Sequence, residues 1–281
     1  MSKRLSPLVV GSWLILLGLV ATALLSPYIV PHSPIRERLI DRLLPPAWVE
    51  DGEWRYLLGT DHLGRDLVSR IIYGSRVSLV VGFAAVAIGG ALGVALGVTA
   101  GFLGGRTDEI IMAVADMQLA FPTILLAIAI IAVLGPSFLN LVIVIGISGW
   151  VTYARIARGQ VLSLREKEFV EAIRAQGGSQ WRIVWRHILP NILPALIVVA
   201  TLDLARTIIL ESTLSFLGLG IQPPTPSWGG MLSDGREYLL SAWWIATFPG
   251  VALMLTALSF NRLGDWIRDL TDPRLRRTEL Q

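Results

Sequence analysis

Six separated apolar runs, each close to the length needed to cross a bilayer, set the architecture of this chain. They lie at about 8–26, 77–102, 110–134, 138–155, 190–212 and 242–261. Crossing the hydrocarbon core takes about 20 apolar residues in a helix. Backbone groups in lipid find partners only in helices or closed barrels. Runs this long and this apolar therefore predict helices. The fold class expected is all-α: a polytopic membrane protein with six transmembrane helices. The balance of residues agrees. Only 16% of the chain is charged against 53% hydrophobic, where a soluble domain carries about 25% charge.

The first run has two readings. Lys3 and Arg4, a greasy stretch and "ATA" at 21–23 resemble a secretory signal with its cleavage site. The run continues past "ATA", however, and fits a full span. Orientation follows from Lys and Arg near span ends, which favour the cytoplasm. The N-terminus, the stretch 155–186 (Arg155, Arg158, Arg165, Lys167, Arg174, Arg182, Arg186) and the tail (Arg262, Arg268, Arg274, Arg276, Arg277) fall on one side of a six-span chain. That side is expected to be cytoplasmic. The turn at 135–137 has no basic residue and 213–241 has only Arg236, so both are placed outside. The segment 27–76 dissents, with Arg36, Arg38, Arg42, Arg55, Arg65, Arg70 and Arg76. Parity places it outside too, since long segments cross largely regardless of charge.

Several function classes drop out. There is no cysteine, hence no disulfide, thiolate metal site or cysteine nucleophile. The three histidines are far apart in sequence, which does not suggest a histidine metal centre. Neither Lys3 nor Lys167 follows a glycine, so the chain has no phosphate-binding loop of the G-x-x-x-x-G-K-[ST] kind. No HExxH or GxSxG pattern marks a membrane enzyme. No basic and aromatic stripe suggests nucleic acid.

Three features carry more information. In the second run Ala85, Gly89, Gly93, Gly97, Gly101 and Gly105 recur every four residues. Such a ridge of small residues lets helices approach closely in lipid; the neighbour is another helix of this chain, a second subunit or a sliding surface. Asp203 and Arg206 lie within the fifth run, three apart on one helix face. They form either a structural ion pair or part of a pathway lining. Glu211 is expected to pair locally and Asp116 to be solvated. The third feature is the charged stretch "EFVEAIRAQGGSQWRIVWRHILPNILP" at 168–194. Ser163 and Glu166 have capping-box spacing and predict an amphipathic helix with Phe169, Ala172 and Ile173 on one face. Gly177 and Gly178 predict its end. A second short helix with Trp181 and Trp185 suits the headgroup level, and Pro190 and Pro194 suit the first turn of the next span.

"EAIRAQG", closed by "ILP", resembles the EAA loop of binding-protein-dependent ABC importer permeases. Glu171, Ala172, Gly177, Leu189 and Pro190 match its pattern. Ile173 stands where the family has a second alanine, and His187 where it has isoleucine. "RHILPN" is similar to the peptide-transporting branch. "GTDHLGRDLVSRIIYGSRVSL" at 59–79, "ESTLSFLGLGIQPPTPSWGGML" at 211–232 and "FNRLGDWIRDLTDPRLR" at 260–276 look like blocks of DppC/OppC-like permeases, in the same order. The resemblance implies a type I, MetI-like transmembrane domain over 77–265, after an N-terminal helix and external segment (1–76) and before a cytoplasmic tail (266–281). It implies a cytoplasmic coupling helix, with Glu171, Ala172, Ile173, Arg174, Gly177, Leu189 and Pro190 forming the contact with an ATP-binding subunit. The partners implied are a second permease, two ATP-binding subunits that hold ATP and Mg, and an external substrate-binding protein. The chain itself would be non-catalytic and sit in the cytoplasmic membrane. Di- or oligopeptides are the expected solute, with nickel chelates and other small solutes as alternatives. A channel that needs no ATPase is the rival of a different class.

Overall fold

The computed structural model describes residues 7–271. Lys3, Arg4, Arg274, Arg276 and Arg277, which bear on the orientation argument, lie outside the described residues. Among the described residues there are ten α-helices and no strand, apart from an isolated bridge between Thr60 and Asp66. The long helices are α1 (Pro7–Ile29), α2 (Leu67–Leu103), α5 (Phe138–Arg165), α8 (Leu189–Phe216) and α10 (Trp244–Thr271). Between them lie α3 (Gly105–Leu119), α4 (Thr123–Leu134), α6 (Glu168–Ala175), α7 (Gln180–Ile183) and α9 (Trp228–Gly235).

Five helices are long and apolar enough to span a bilayer. The third expected span is not one straight helix. Its residues form α3 and α4, bent by 87° at a short break, and count as a sixth span only if the pair is taken together. The break falls at Ala120–Pro122. Proline disfavours helical backbone in the residue before it, so "AFP" interrupts a run that hydropathy alone reads as continuous. The other spans are longer than their apolar runs. α2 starts at Leu67, where the Asp66 side chain accepts from the Ser69 backbone N–H. Its 37 residues reach about 55 Å, well beyond the roughly 30 Å hydrocarbon core.

α2 and α5 form the centre of the bundle. The ridge Gly89, Gly93, Gly97 and Gly101 is buried against α5. A Cβ at Gly89 would stand 2.7 Å from the Gly146 carbonyl oxygen, and one at Gly97 2.8 Å from Ala154 Cα. The approach is backbone to backbone, the geometry that small residues permit in lipid. Gly105, the last of the small-residue series, lies past the end of α2 with open space around it. Gly97→Val is expected to destabilise the bundle by about 1–3 kcal/mol, read as a lower thermal midpoint in detergent. The same change at Gly18, which has nothing within 4 Å, should leave the midpoint in place.

α1 and α10 pack beside this pair, with Leu16, Ala23, Leu79, Leu204, Ile208 and Phe260 in one cluster. At one end of the bundle the segment between α1 and α2 folds over α9 and the start of α10. The Trp228 indole donates to the Ile71 carbonyl at 3.0 Å and the Trp244 indole to the Thr60 carbonyl at 3.0 Å.

Candidate functional site

The short helix α6 stands at the opposite end of the bundle. Its start differs from the sequence expectation. Ser163 lies inside α5, which runs on to Arg165, so no capping box forms; α6 begins after Lys167 without a side-chain cap. The cause is packing: Val161 and Leu164 are buried and carry α5 past the end of its apolar run. The far end of α6 is a Schellman turn. The Gly178 N–H donates to the Ile173 carbonyl at 2.9 Å and the Gly177 N–H to the Arg174 carbonyl at 3.0 Å. Gly177 has φ +77° and open space around it, so backbone conformation is what selects glycine there.

α6 is held to the bundle by one stripe. Val170 is fully buried and Ile173 packs beside it, against Val98, Val161, Leu164, Ile183 and Ile188. Of the expected apolar face only Ile173 turns inward. Phe169 is 39% exposed, and Ala172 and Glu171 are exposed with it. Two stripes were available on this helix, and the cleft between α5 and α7 takes the one centred on Val170. The Arg174 guanidinium lies over the Phe102 ring at 5.8 Å, and Arg165 donates to the Gly101 carbonyl at 2.8 Å. α6 touches the end of α2 through Arg174 and the end of α5 through Val170.

After the glycines, Ser179 caps α7 by accepting from the Arg182 N–H. A π-helical turn at Val184–Ile188 follows, and helix is continuous from Gln180 to Phe216. Pro190 thus sits within a continuous helix, not at the start of a separate one. Proline lacks an N–H and its ring clashes with the carbonyl four residues back. The preceding turn is widened, with the Leu189 N–H bonded to the Val184 carbonyl, and such π-turns are a known accommodation in helices. Leu189 is half-buried and Pro190 exposed. His187, the other departure from the family pattern, is half-buried.

Asp203 and Arg206 are not paired with each other. Asp203 accepts from the Tyr153 hydroxyl of α5 at 3.1 Å, while Arg206 is exposed. Both border a small recess beside Thr123 and Ser148. Arg206 also borders a concavity of about 360 Å³ at the α3–α4 bend, with Pro122, Thr123, Ile209 and Thr213. Tyr153→Phe and Asp203→Asn are expected to be non-additive by about 0.5–3 kcal/mol in thermal midpoints of single and double variants. Asp203→Asn and Arg206→Gln should come closer to simple addition.

Other acids in the spans find partners. Glu211 is fully buried and accepts from the hydroxyls of Ser215 (2.8 Å), Ser78 (3.2 Å) and Ser212 (3.3 Å). Asp116 is exposed, as expected, and is also ion-paired with Arg155. Asp108 accepts two bonds from Arg158, one at 2.6 Å. These two arginine–aspartate pairs lash α3 alongside α5.

A buried polar cluster lies where sequence reasoning missed it. Asp61, Arg65 and Arg70 are almost fully buried. Arg65 Nε lies 2.6 Å and Arg70 Nε 3.4 Å from the Asp61 carboxylate. Asp234 of α9 approaches both guanidiniums at 3.4 and 3.5 Å. His62 is near enough to Asp61 and Asp234 to form a possible cation trio, but the two guanidiniums already claim those carboxylates. Next to the cluster, Tyr56 donates to Asp41 at 2.7 Å. Burial, together with that bond, holds the Tyr56 phenol above its usual range. The signal in the sequence was the excess of arginine in 27–76: Arg65, Arg70 and Arg38 each have a carboxylate at hand.

Residues 93–277 match the family described as "Binding-protein-dependent transport system inner membrane component". The chain belongs to this family. It is a permease subunit of an ABC importer and a multi-pass, inner-membrane component. The permease is 43% identical to the di/tripeptide transport system permease protein DppC of Pseudomonas aeruginosa over 95% of its own length and 88% of the relative's. It is 44% identical to the probable D,D-dipeptide transport system permease protein DdpC of Escherichia coli, over 96% and 88%. In fold it is similar to a chain of the MetNI methionine ABC transporter in an inward-facing conformation. That likeness has a TM-score of 0.59 at 18% identity and covers 72% of the permease and 97% of the other chain.

Proposed function

We propose that the permease forms half of a translocation pathway for di- or oligopeptides and that α6 is its coupling helix to an ATP-binding subunit. The observation that carries the coupling assignment is the shape of α6. It is a short helix fixed on its inner side by Val170 and Ile173, ended by a left-handed glycine, with Glu171, Ala172 and Phe169 facing out. A rigid knob of this kind, seated in a cleft of a partner, turns partner motion into helix displacement. Glu171 offers a charge to the partner, Arg174 braces the knob on Phe102, and Leu189 and Pro190 carry the motion into α8. The peptide assignment is supported by relatives whose names specify di- and tripeptide transport. Asp203 and Arg206, which border one recess beside Thr123, would face the charged ends of a peptide.

The remaining partners are a second permease, a second ATP-binding subunit and an external binding protein. ATP and Mg are bound by the ATP-binding subunits and this chain performs no catalysis. Both termini are cytoplasmic, and 27–76 with 213–241 form the outer surface. The test is a single cysteine at Ala172, exposed on α6, in a chain with no cysteine of its own. In native membranes it should cross-link to an ATP-binding subunit, with a yield that changes with nucleotide. Labelling by impermeant reagents from outside would overturn the orientation. A cytoplasmic cysteine that captures no ATP-binding subunit would overturn the coupling role.

A further inference from the structure

A groove of about 700 Å³ runs between α2 and α8, with Tyr153, whose hydroxyl donates to Asp203, in its lining. Ala91, Val94 and Ala95 form one wall, Leu193 and Ile197 the other, and Tyr153 lies at the base beside Gly90. The hydroxyl of Thr99, at one end, is already bonded to the Ala95 carbonyl at 2.7 Å. The walls therefore offer an occupant little but apolar contact. Along α2 the groove extends from Val86 to Thr99, about 20 Å at helical rise. One leaflet's hydrocarbon is about 15 Å deep.

The groove has a polar end. Trp181 and Trp185 line it there, their rings 5.2 Å apart. Arg182 and Arg186 are their exposed neighbours on the same turns, and among the described residues neither forms an ion pair. Tryptophan with arginine marks the headgroup level, and basic pockets between spanning helices take anionic headgroups. On the α8 helix, Ile197 and Arg206 are about 180° apart at helical periodicity. Ile197 thus lies on the face of α8 opposite Arg206, which borders the concavity at the α3–α4 bend.

We infer that this groove holds one anionic glycerophospholipid, its acyl chain along α2 and its phosphate against Arg182 and Arg186. The lipid lies where α6, α7 and the π-turn join α8, so its headgroup braces the segment that any displacement of α6 must pass through. The inference does not depend on which solute is carried.

The experiment is native mass spectrometry of the assembled transporter exchanged into phosphatidylglycerol or phosphatidylcholine. One phosphatidylglycerol should be retained through detergent washing, at an occupancy about 30-fold above phosphatidylcholine, the scale of two basic residues at a lipid surface. Arg182→Gln with Arg186→Gln should reduce retention about 30-fold. Ala95→Phe, which fills the groove, should abolish it, and Ile197→Trp repeats the test from the other wall if the first variant does not assemble. Arg268→Gln, an exposed arginine on α10, should retain the lipid. Equal retention of both lipids, retention unaffected by the filling variants, or capture of the second permease by a photoreactive group at Ala95 would each overturn the assignment.

Discussion

Asp61→Ala strands two buried guanidiniums and is expected to be the most destabilising single change in the segment between α1 and α2. Arg65 and Arg70 would keep only Asp234, at 3.4 and 3.5 Å, and Asp61 would no longer accept from the backbone N–H groups of Leu63 and Arg65. Breaking a buried ion pair by removing one partner costs about 3–5 kcal/mol, because the surviving charge is left uncompensated. The result should be poor recovery of folded protein and a large drop in thermal midpoint by gel filtration after heating. Glu50→Ala, on an exposed residue of the same segment, should cost nothing measurable. Adding Arg70→Met to Asp61→Ala should recover part of the loss, since a buried charge without a partner is worse than an apolar side chain. An Asp61→Ala protein as stable as the parent would show that the cluster is hydrated and energetically slack.

Gly177→Pro is expected to uncouple the permease while leaving it in the membrane. Proline cannot take φ +77°, and it removes the N–H that donates to the Arg174 carbonyl. The turn that presents α6 would open without touching any spanning helix. Transport and solute-stimulated ATPase activity should fall about 5- to 150-fold, the range of a 1–3 kcal/mol coupling energy. Glu171→Lys, which reverses an exposed charge and disturbs no contact inside the chain, should give the same phenotype. Gly177→Asn should retain most activity, because asparagine tolerates the left-handed conformation. Wild-type transport by Gly177→Pro, or loss of transport by Gly177→Asn with membrane levels unchanged, would remove the turn from the coupling pathway.

What could be read from the sequence follows from the range of each interaction. Spans declare themselves locally, because 20 apolar residues in a row have few other solutions, and the ridge at Gly89–Gly101 shows in its own spacing. The end at Gly177 is equally local. Boundaries depend on neighbours: α5 continues to Arg165 because Val161 and Leu164 find a cleft that no window of sequence describes. The bend at Ala120–Pro122 was signalled by Pro122 but hidden by hydropathy, which measures side chains and ignores the backbone. On α6, Phe169–Ala172–Ile173 and Val170–Ile173 were both plausible inner faces, and only the packed cleft chooses. Asp203 and Arg206 looked like partners because helix spacing is visible in sequence, whereas the Tyr153 hydroxyl comes from 50 positions away.

The Asp61–Arg65–Arg70–Asp234 cluster also bears on how the protein is made. Arg65 and Asp234 are 169 positions apart, so the first half of the cluster emerges from the ribosome long before the second. Until residue 234 has been delivered to the same side of the membrane, two arginines share one aspartate. Closure of the cluster therefore reports that the intervening helices have been threaded in the correct number and direction. A chain inserted with one crossing too few leaves Asp234 on the wrong side, and the charge imbalance at Arg65 and Arg70 persists as a local defect that quality-control proteases can find.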